Sequence, residues 1–217
     1  MTEHSSIPPS ASEQPRFLMG LAAIMAIGPV IFTIAILIAD FVVPNHDWIA
    51  DTISDLGAGK YEFIVDIGIY AYSASLIAGA VGASHAHMDD TRWSAGIYIL
   101  IFTGLIVFLV GARNEYGDND SDGMVIHSYL VYGLGAAFLL APWLMAKGAD
   151  RADGPYGRIF RGASIAWLLA APWFFFLPTG IDGIYERGLG LITFVFTLSL
   201  AHLLWTRGRL LRDMRRG

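Results

Sequence analysis

Six predominantly apolar runs, each long enough to cross a bilayer, constrain this chain more than any other feature. A hydrocarbon core about 30 Å thick is crossed by roughly 20 helical residues rising about 1.5 Å each. The runs extend from about Phe17 to Ile38, Val65 to Ser84, Trp93 to Ala112, Met124 to Ala146, Ile159 to Pro178 and Leu189 to Thr206. They show no alternation of the kind that builds membrane barrels. The predicted fold class is therefore an all-α integral membrane protein, a six-transmembrane-helix bundle. A composition of 55% apolar and 15% charged residues agrees, being too apolar for a water-solvated surface. The stretch before Phe17 has one arginine and no basic n-region, so the first run reads as a retained helix rather than a signal peptide.

Direction follows from the basic residues. With both termini inside, the inner segments hold 11 lysines and arginines, and the outer segments hold only Lys60, Arg113 and Arg187. Twelve of the 19 acidic residues fall outside on the same topology. The expectation is a multi-pass protein of the cell (plasma) membrane with cytoplasmic N- and C-termini. Three regions follow: 1–16 as a disordered cytoplasmic N-terminus, 17–206 as a single six-helix membrane domain, and 207–217 as a basic cytoplasmic tail. No linker between spans is long enough to separate two cores. Gly68, Ser75, Gly79 and Gly82 form a small-residue stripe that permits close helix contact, and Pro142 and Pro172 should each kink a span.

The outer loops hold the unusual residues. In the first, a short interfacial helix is expected, with Asp47, Asp51, Ser54 and Asp55 on one face. Trp48, Ile49, Thr52, Ile53 and Leu56 lie on the other, and Gly57 is the C-cap. In the second, Asp118, Asp120 and Asp122 followed by Gly123 reproduce the first half of a calcium loop. Tyr129 stands where that loop needs a bidentate glutamate. The absence of cysteine excludes disulfides, thiolate metal sites and cysteine nucleophiles, so any metal needs histidine and carboxylate ligands.

His85 and His87 are two positions apart on a helix and cannot share a metal, and His202 sits near the inner face. His127 opens the fourth span from the outside, at the depth where Asp55, Glu115, Asp182 and Glu186 could converge. Such a cluster suits zinc binding or general acid and base work. Glu186 and Arg187 precede the last span, where they could anchor an ion-pair network or meet a headgroup.

These residues carry a family resemblance. Thr52-Ile53-Ser54-Asp55-Leu56-Gly57 resembles the Ile-Ser-Asp/Glu-Leu-Gly signature of the prokaryotic membrane family catalogued as domain of unknown function 998. Gly111, an acidic loop, His127-Ser128 and Phe138 are similar to its Gly, loop, His-Ser, Phe arrangement, and Gly183 with Glu186-Arg187 resembles its Gly-x-x-Glu-Arg. A Pro-Gly-Tyr-like entry to the first loop is replaced here by Pro44-Asn45-His46. The resemblance implies a six-helix bundle and supplies no activity. Comparison with membrane hydrolases of the alkaline ceramidase type fails on their late-helix His-x-x-x-His pair, which this chain lacks.

Two functions compete. In the first, the protein is structural or lipid-interacting, and Asp55, His127, Glu186 and Arg187 form a polar network at the outer mouth. In the second it is a metal-assisted hydrolase of a lipid-like substrate at the outer leaflet. There His127 and Asp55 would hold zinc, Glu186 would act as acid or base, and Ser54 would orient substrate, with Asp51, Glu115 and Arg187 as binding residues. Transport ranks third, because no charge sits at mid-bilayer. Membrane lipids are the expected partners and nucleic acid is not. Zinc and calcium are the metals for which candidate ligands exist.

Overall fold

The computed structural model describes residues 13–57, 59–88, 91–112 and 123–216. Among them there is no strand. Helix α1 spans Pro15–Val42, α2 Ile53–Leu56, α3 Glu62–Ala86, α4 Thr91–Ala112, α5 Gly123–Ala149, α6 Tyr156–Ala170 and α7 Asp182–Met214. A 3-10 segment, Ala171–Phe176, extends α6, so that six helical rods are long and apolar enough to cross a membrane.

The rods form a closed ring. α1 lies against α3, α3 against α4, α4 against α5, α5 against α6, α6 against α7, and α7 returns to α1. Large apolar side chains stay exposed around the outside, among them Ile27, Ile34, Phe102, Leu169 and Leu191. In water such a surface would aggregate; in a bilayer it is the solvated face. The chain is a multi-pass membrane protein.

Glycine sets how closely the first two rods approach. A Cβ on Gly28 would collide with Ser75, one on Gly68 would come within 2.7 Å of Ala35 Cβ, and one on Gly79 would collide with Met25. The small-residue stripe of α3 therefore faces α1, where backbone proximity supplies the dispersion contact that a hydrophobic effect cannot supply in lipid. Leu18, Met25, Leu76, Trp93, Leu100, Met145, Phe160, Phe196 and Leu200 are fully buried and fill the half of the bundle nearer the termini.

That end is also tied by polar contacts. Glu13, 2% exposed, accepts from Arg207 Nε at 2.7 Å, and Arg215 donates to the Glu13 carbonyl at 2.7 Å. Residues Arg207 to Met214, set apart in the sequence as a basic tail, continue α7. His85 Nε2 accepts from the Gln14 amide, His87 turns its ring to the Ser84 carbonyl, and His202 meets the Tyr156 hydroxyl.

At the opposite end, here termed the loop end, the connection between α1 and α3 folds over the ring. The expected interfacial helix is present in a shortened form, α2, with Gly57 as its C-cap. Residues 47–51 make a separate turn ahead of it: the Asp51 amide donates to the Asp47 carbonyl, Asp47 Oδ1 accepts from the Ile49 amide, and Asp51 Oδ2 accepts from the Asp47 amide. Thr52 is not a face residue but the N-cap: its extended backbone precedes α2, and Thr52 and Asp55 close a reciprocal capping box. Asn45, at φ 58°, supplies the left-handed turn that brings the chain back over α1. Pro172 does more than kink its span, because α6 ends at Ala170 and tightens into the 3-10 segment.

Candidate functional site

The sequence Gly183-x-x-Glu186-Arg187 at the start of α7 receives the first loop, one residue for each part of the task. A Cβ on Gly183 would collide with the Asp51 carbonyl and lie 3.0 Å from the Ile49 carbonyl, so only glycine lets the loop backbone rest directly on the helix. Ile184 then donates its amide to the Ile49 carbonyl at 3.0 Å. One turn on, Glu186 Oε2 accepts from the Ile53 amide at 2.6 Å, satisfying a donor at the N-terminus of α2 that the short helix cannot satisfy internally. Arg187 Nη1 donates to the carbonyls of Asp51 and Gly183, each at 3.0 Å, and Nη2 donates to Asp40 Oδ1 at 2.8 Å.

Two residues of this clamp, Asp40 and His46, were not among the sequence candidates. His46, with its side chain 3% exposed, places Nε2 3.0 Å from Asp40 Oδ1 and Nδ1 3.4 Å from Asp51 Oδ2. The signal that could have found them was cost. A carboxylate on the last turn of an apolar span needs a cationic partner, and among the described residues Lys60 and Arg187 are the lysines and arginines at this end.

Inside the docked loop lies a cavity of about 670 Å³. Its walls come from α1, α3, α4, α5, α6, the 3-10 segment and α7, and are mostly apolar: Phe32, Val107, Phe138, Trp167, Phe175 and Leu189 represent them. Polar groups are concentrated where α2 covers it. Ser54, His127 and Glu186 line the cavity together, with Ser54 Oγ 3.5 Å from His127 Nε2. His127 is 7% exposed. On the wall formed by α3 and α7, the Tyr72 hydroxyl donates to Thr193 Oγ1 at 2.9 Å and lies 3.1 Å from Thr197 Oγ1. Trp167 Nε1 donates to the Gly135 carbonyl at 2.8 Å, bridging α6 to α5 beside the space.

Two lining glycines keep the space open. A Cβ placed on Gly135 or on Gly190 would meet nothing within 4 Å. At both positions the missing side chain is cavity volume rather than a helix contact.

The sequence candidates thus divide. Ser54, His127 and Glu186 share one cavity. Asp51 and Arg187 belong to the loop clamp behind it. Asp55 Oδ2 accepts from the Thr52 amide at 2.7 Å and from the Thr52 hydroxyl at 2.8 Å. Asp182, at the start of α7, accepts from the Gly183 amide. Glu115, Asp118, Asp120 and Asp122 lie outside the described residues. Among the described residues no three histidines or carboxylates converge as a metal group.

Comparison with known proteins places the chain at the level of family alone. Neither a curated protein nor a solved structure matches the chain. A family model described as protein of unknown function (DUF998) matches residues 26–203, from the middle of α1 through most of α7. The loop signature, the His-Ser pair and the Gly-x-x-Glu-Arg clamp all fall inside that span, and the chain belongs to the DUF998 family.

Proposed function

We propose that the protein is a lipid-interacting membrane protein that holds one single-chain amphipathic molecule in its loop-end cavity. The observation that carries this reading is the division of the lining: apolar walls along the rods and Ser54, His127 and Glu186 together under α2. About 670 Å³ falls within the range of roughly 300 to 1,000 Å³ typical of small-molecule sites. An apolar chain would replace the contacts that empty walls forfeit, and the headgroup would meet the polar end. Basic residues concentrated at the terminal end support an orientation with both termini in the cytoplasm and this site at the outer leaflet of the cell membrane.

The metal-assisted hydrolase reading is less well supported, on the chemistry of the donors. It needs Asp55 beside His127, and Asp55 is committed to the capping box of α2.

The test is equilibrium binding to purified protein in nanodiscs, using radiolabelled monoacylglycerol, alkylamine, fatty acid and lysophosphatidate of equal chain length. Saturable binding of at least one of them, at one molecule per chain, is expected. Gly135→Leu and Gly190→Leu should abolish it without lowering thermal stability, since a Cβ at either position enters open space. Binding that is absent for all four probes, or unchanged in both filled variants, overturns the proposal.

A further inference from the structure

We propose that the cavity is entered sideways from the bilayer, through a seam between α5 and the 3-10 segment that Tyr132 and Phe175 close. This rests on the proposed function and names the source of the ligand for that site, an amphiphile already dissolved in the membrane. Tyr132, Leu168, Phe175 and Phe176 line the cavity, and each is also more than half exposed. Lining alone does not expose a side chain, since Tyr72 and Phe138 line the same space and are buried. The four therefore form a wall one side chain thick, with the cavity on one side and the lipid-facing surface on the other.

Three contacts between α5 and the α6 rod follow one another toward the loop end. Ser164 Oγ donates to the Leu139 carbonyl, and Trp167 Nε1 donates to the Gly135 carbonyl. Next comes Tyr132, whose ring centre lies 5.2 Å from that of Phe175. Leu139, Gly135 and Tyr132 are spaced by 4 and 3 positions and so share one face of α5. The first two contacts are hydrogen bonds to the backbone; the third joins two rings. Between the second and the third, α6 gives way to the 3-10 segment, which lies against α7. There the Ala170 carbonyl accepts from the Tyr185 hydroxyl at 2.9 Å.

A ring contact parts by side-chain rotation, a fast motion for exposed residues, whereas the two backbone bonds hold the rods together beneath it. Phe175 stands on a helix type whose hydrogen bonds have poorer geometry, and Pro172 in its first turn has no amide to donate. The route also suits its cargo. An acyl chain that reached the site through water would expose every methylene on the way, while one that slides between two rods stays in an apolar medium. His127 stands five positions before Tyr132 on α5, so the seam opens close to the polar cover of the cavity. The tail passes the ring pair while the headgroup travels near the interface.

The experiment measures exchange rates in nanodiscs with the tightest-binding of monoacylglycerol, alkylamine, fatty acid and lysophosphatidate. The chain has no cysteine, so Tyr132→Cys combined with Phe175→Cys gives one pair that dibromobimane can bridge. Bridging should slow both uptake and release at least tenfold relative to the unbridged double variant, with the same final capacity. Tyr132→Ala combined with Phe175→Ala should speed release from the otherwise unaltered protein at least threefold. Saturable binding with exchange unchanged by the bridge would mean entry from water under α2, and overturns the seam while leaving the cavity reading intact. Where the bridge does not form, release from the alanine variant at the wild-type rate overturns it equally. Failure of all four probes to bind overturns the cavity reading and the seam with it.

Discussion

Ile53 and Glu186 lie 133 positions apart and are joined by a 2.6 Å hydrogen bond from the Ile53 amide to Glu186 Oε2. The bond connects the cover of the cavity to the helix that forms one of its walls. It is charge-assisted and part-buried, the class of hydrogen bond whose net value is about 1.5–3 kcal/mol. Glu186→Ala should destabilise the protein by that amount, because the amide at the start of α2 loses its partner. Glu186→Gln keeps an acceptor oxygen and should cost less than half as much. Thermal unfolding in detergent distinguishes them; equal losses would mean the carboxylate acts through charge and not through this bond.

Gly183 and Gly188 stand a turn and a half apart on α7 and should respond oppositely to the same change. Gly183→Ala drives a methyl group into the Asp51 carbonyl, a backbone atom that cannot rotate away. Overpacking of this kind costs about 1–3 kcal/mol, and the loop should lift, exposing residues 46–52 to limited proteolysis. A methyl group on Gly188 would meet nothing within 4 Å. Gly188→Ala should be neutral or stabilising by up to about 1 kcal/mol through helix propensity. Equal protease sensitivity in the two variants would remove Gly183 from the clamp.

How much of this was legible beforehand differs by element. The six rods were legible because the bilayer imposes a length and a composition that few other structures satisfy. Ser54, His127 and Glu186 were legible as candidates because polar residues beside apolar spans must find partners. Thr52 was misplaced on the apolar face of the loop helix because spacing alone does not reveal which residue leaves the helical conformation. Its hydroxyl and the Asp55 carboxylate settle that locally, by capping. Asp40 and His46 read singly as interface polar residues, since their pairing with Arg187 joins positions 147 and 141 apart. The cavity left no direct mark. It arises where Gly135, Gly190 and the 3-10 segment on separate rods happen to face one space.

Arg187 should be replaceable by neither lysine nor a neutral isostere. Its fork holds Asp40 Oδ1 through one nitrogen and the Asp51 and Gly183 carbonyls through the other. A lysine ammonium lacks that planar geometry. Arg187→Lys should loosen the loop, and Asp40→Asn should do the same. Because the two partners touch, the double variant should cost less than the sum of the singles, with a coupling of about 0.5–3 kcal/mol. Additive losses, read by thermal unfolding, would show that Arg187 stabilises the loop through the carbonyls alone.

Tyr72 offers a case where a buried hydroxyl should matter little. It bonds Thr193 and Thr197 across from α3 to α7, which invites a large value in a medium without water. Both threonines keep a second partner, however: Thr193 Oγ1 donates to the Gly190 carbonyl and Thr197 Oγ1 to the Thr193 carbonyl. Removing the phenol hydroxyl orphans neither. Measured interhelical bonds in membrane proteins average about 0.6 kcal/mol, and Tyr72→Phe should cost about that. The ring does more: it stacks on Phe32 at 5.6 Å and meets Phe194 edge-on at 5.5 Å. Tyr72→Ala should therefore cost about 3–5 kcal/mol, the range for a large aromatic removed from a packed interior. A Tyr72→Phe loss approaching that of Tyr72→Ala would assign the strength of this contact to the hydroxyl instead of the ring.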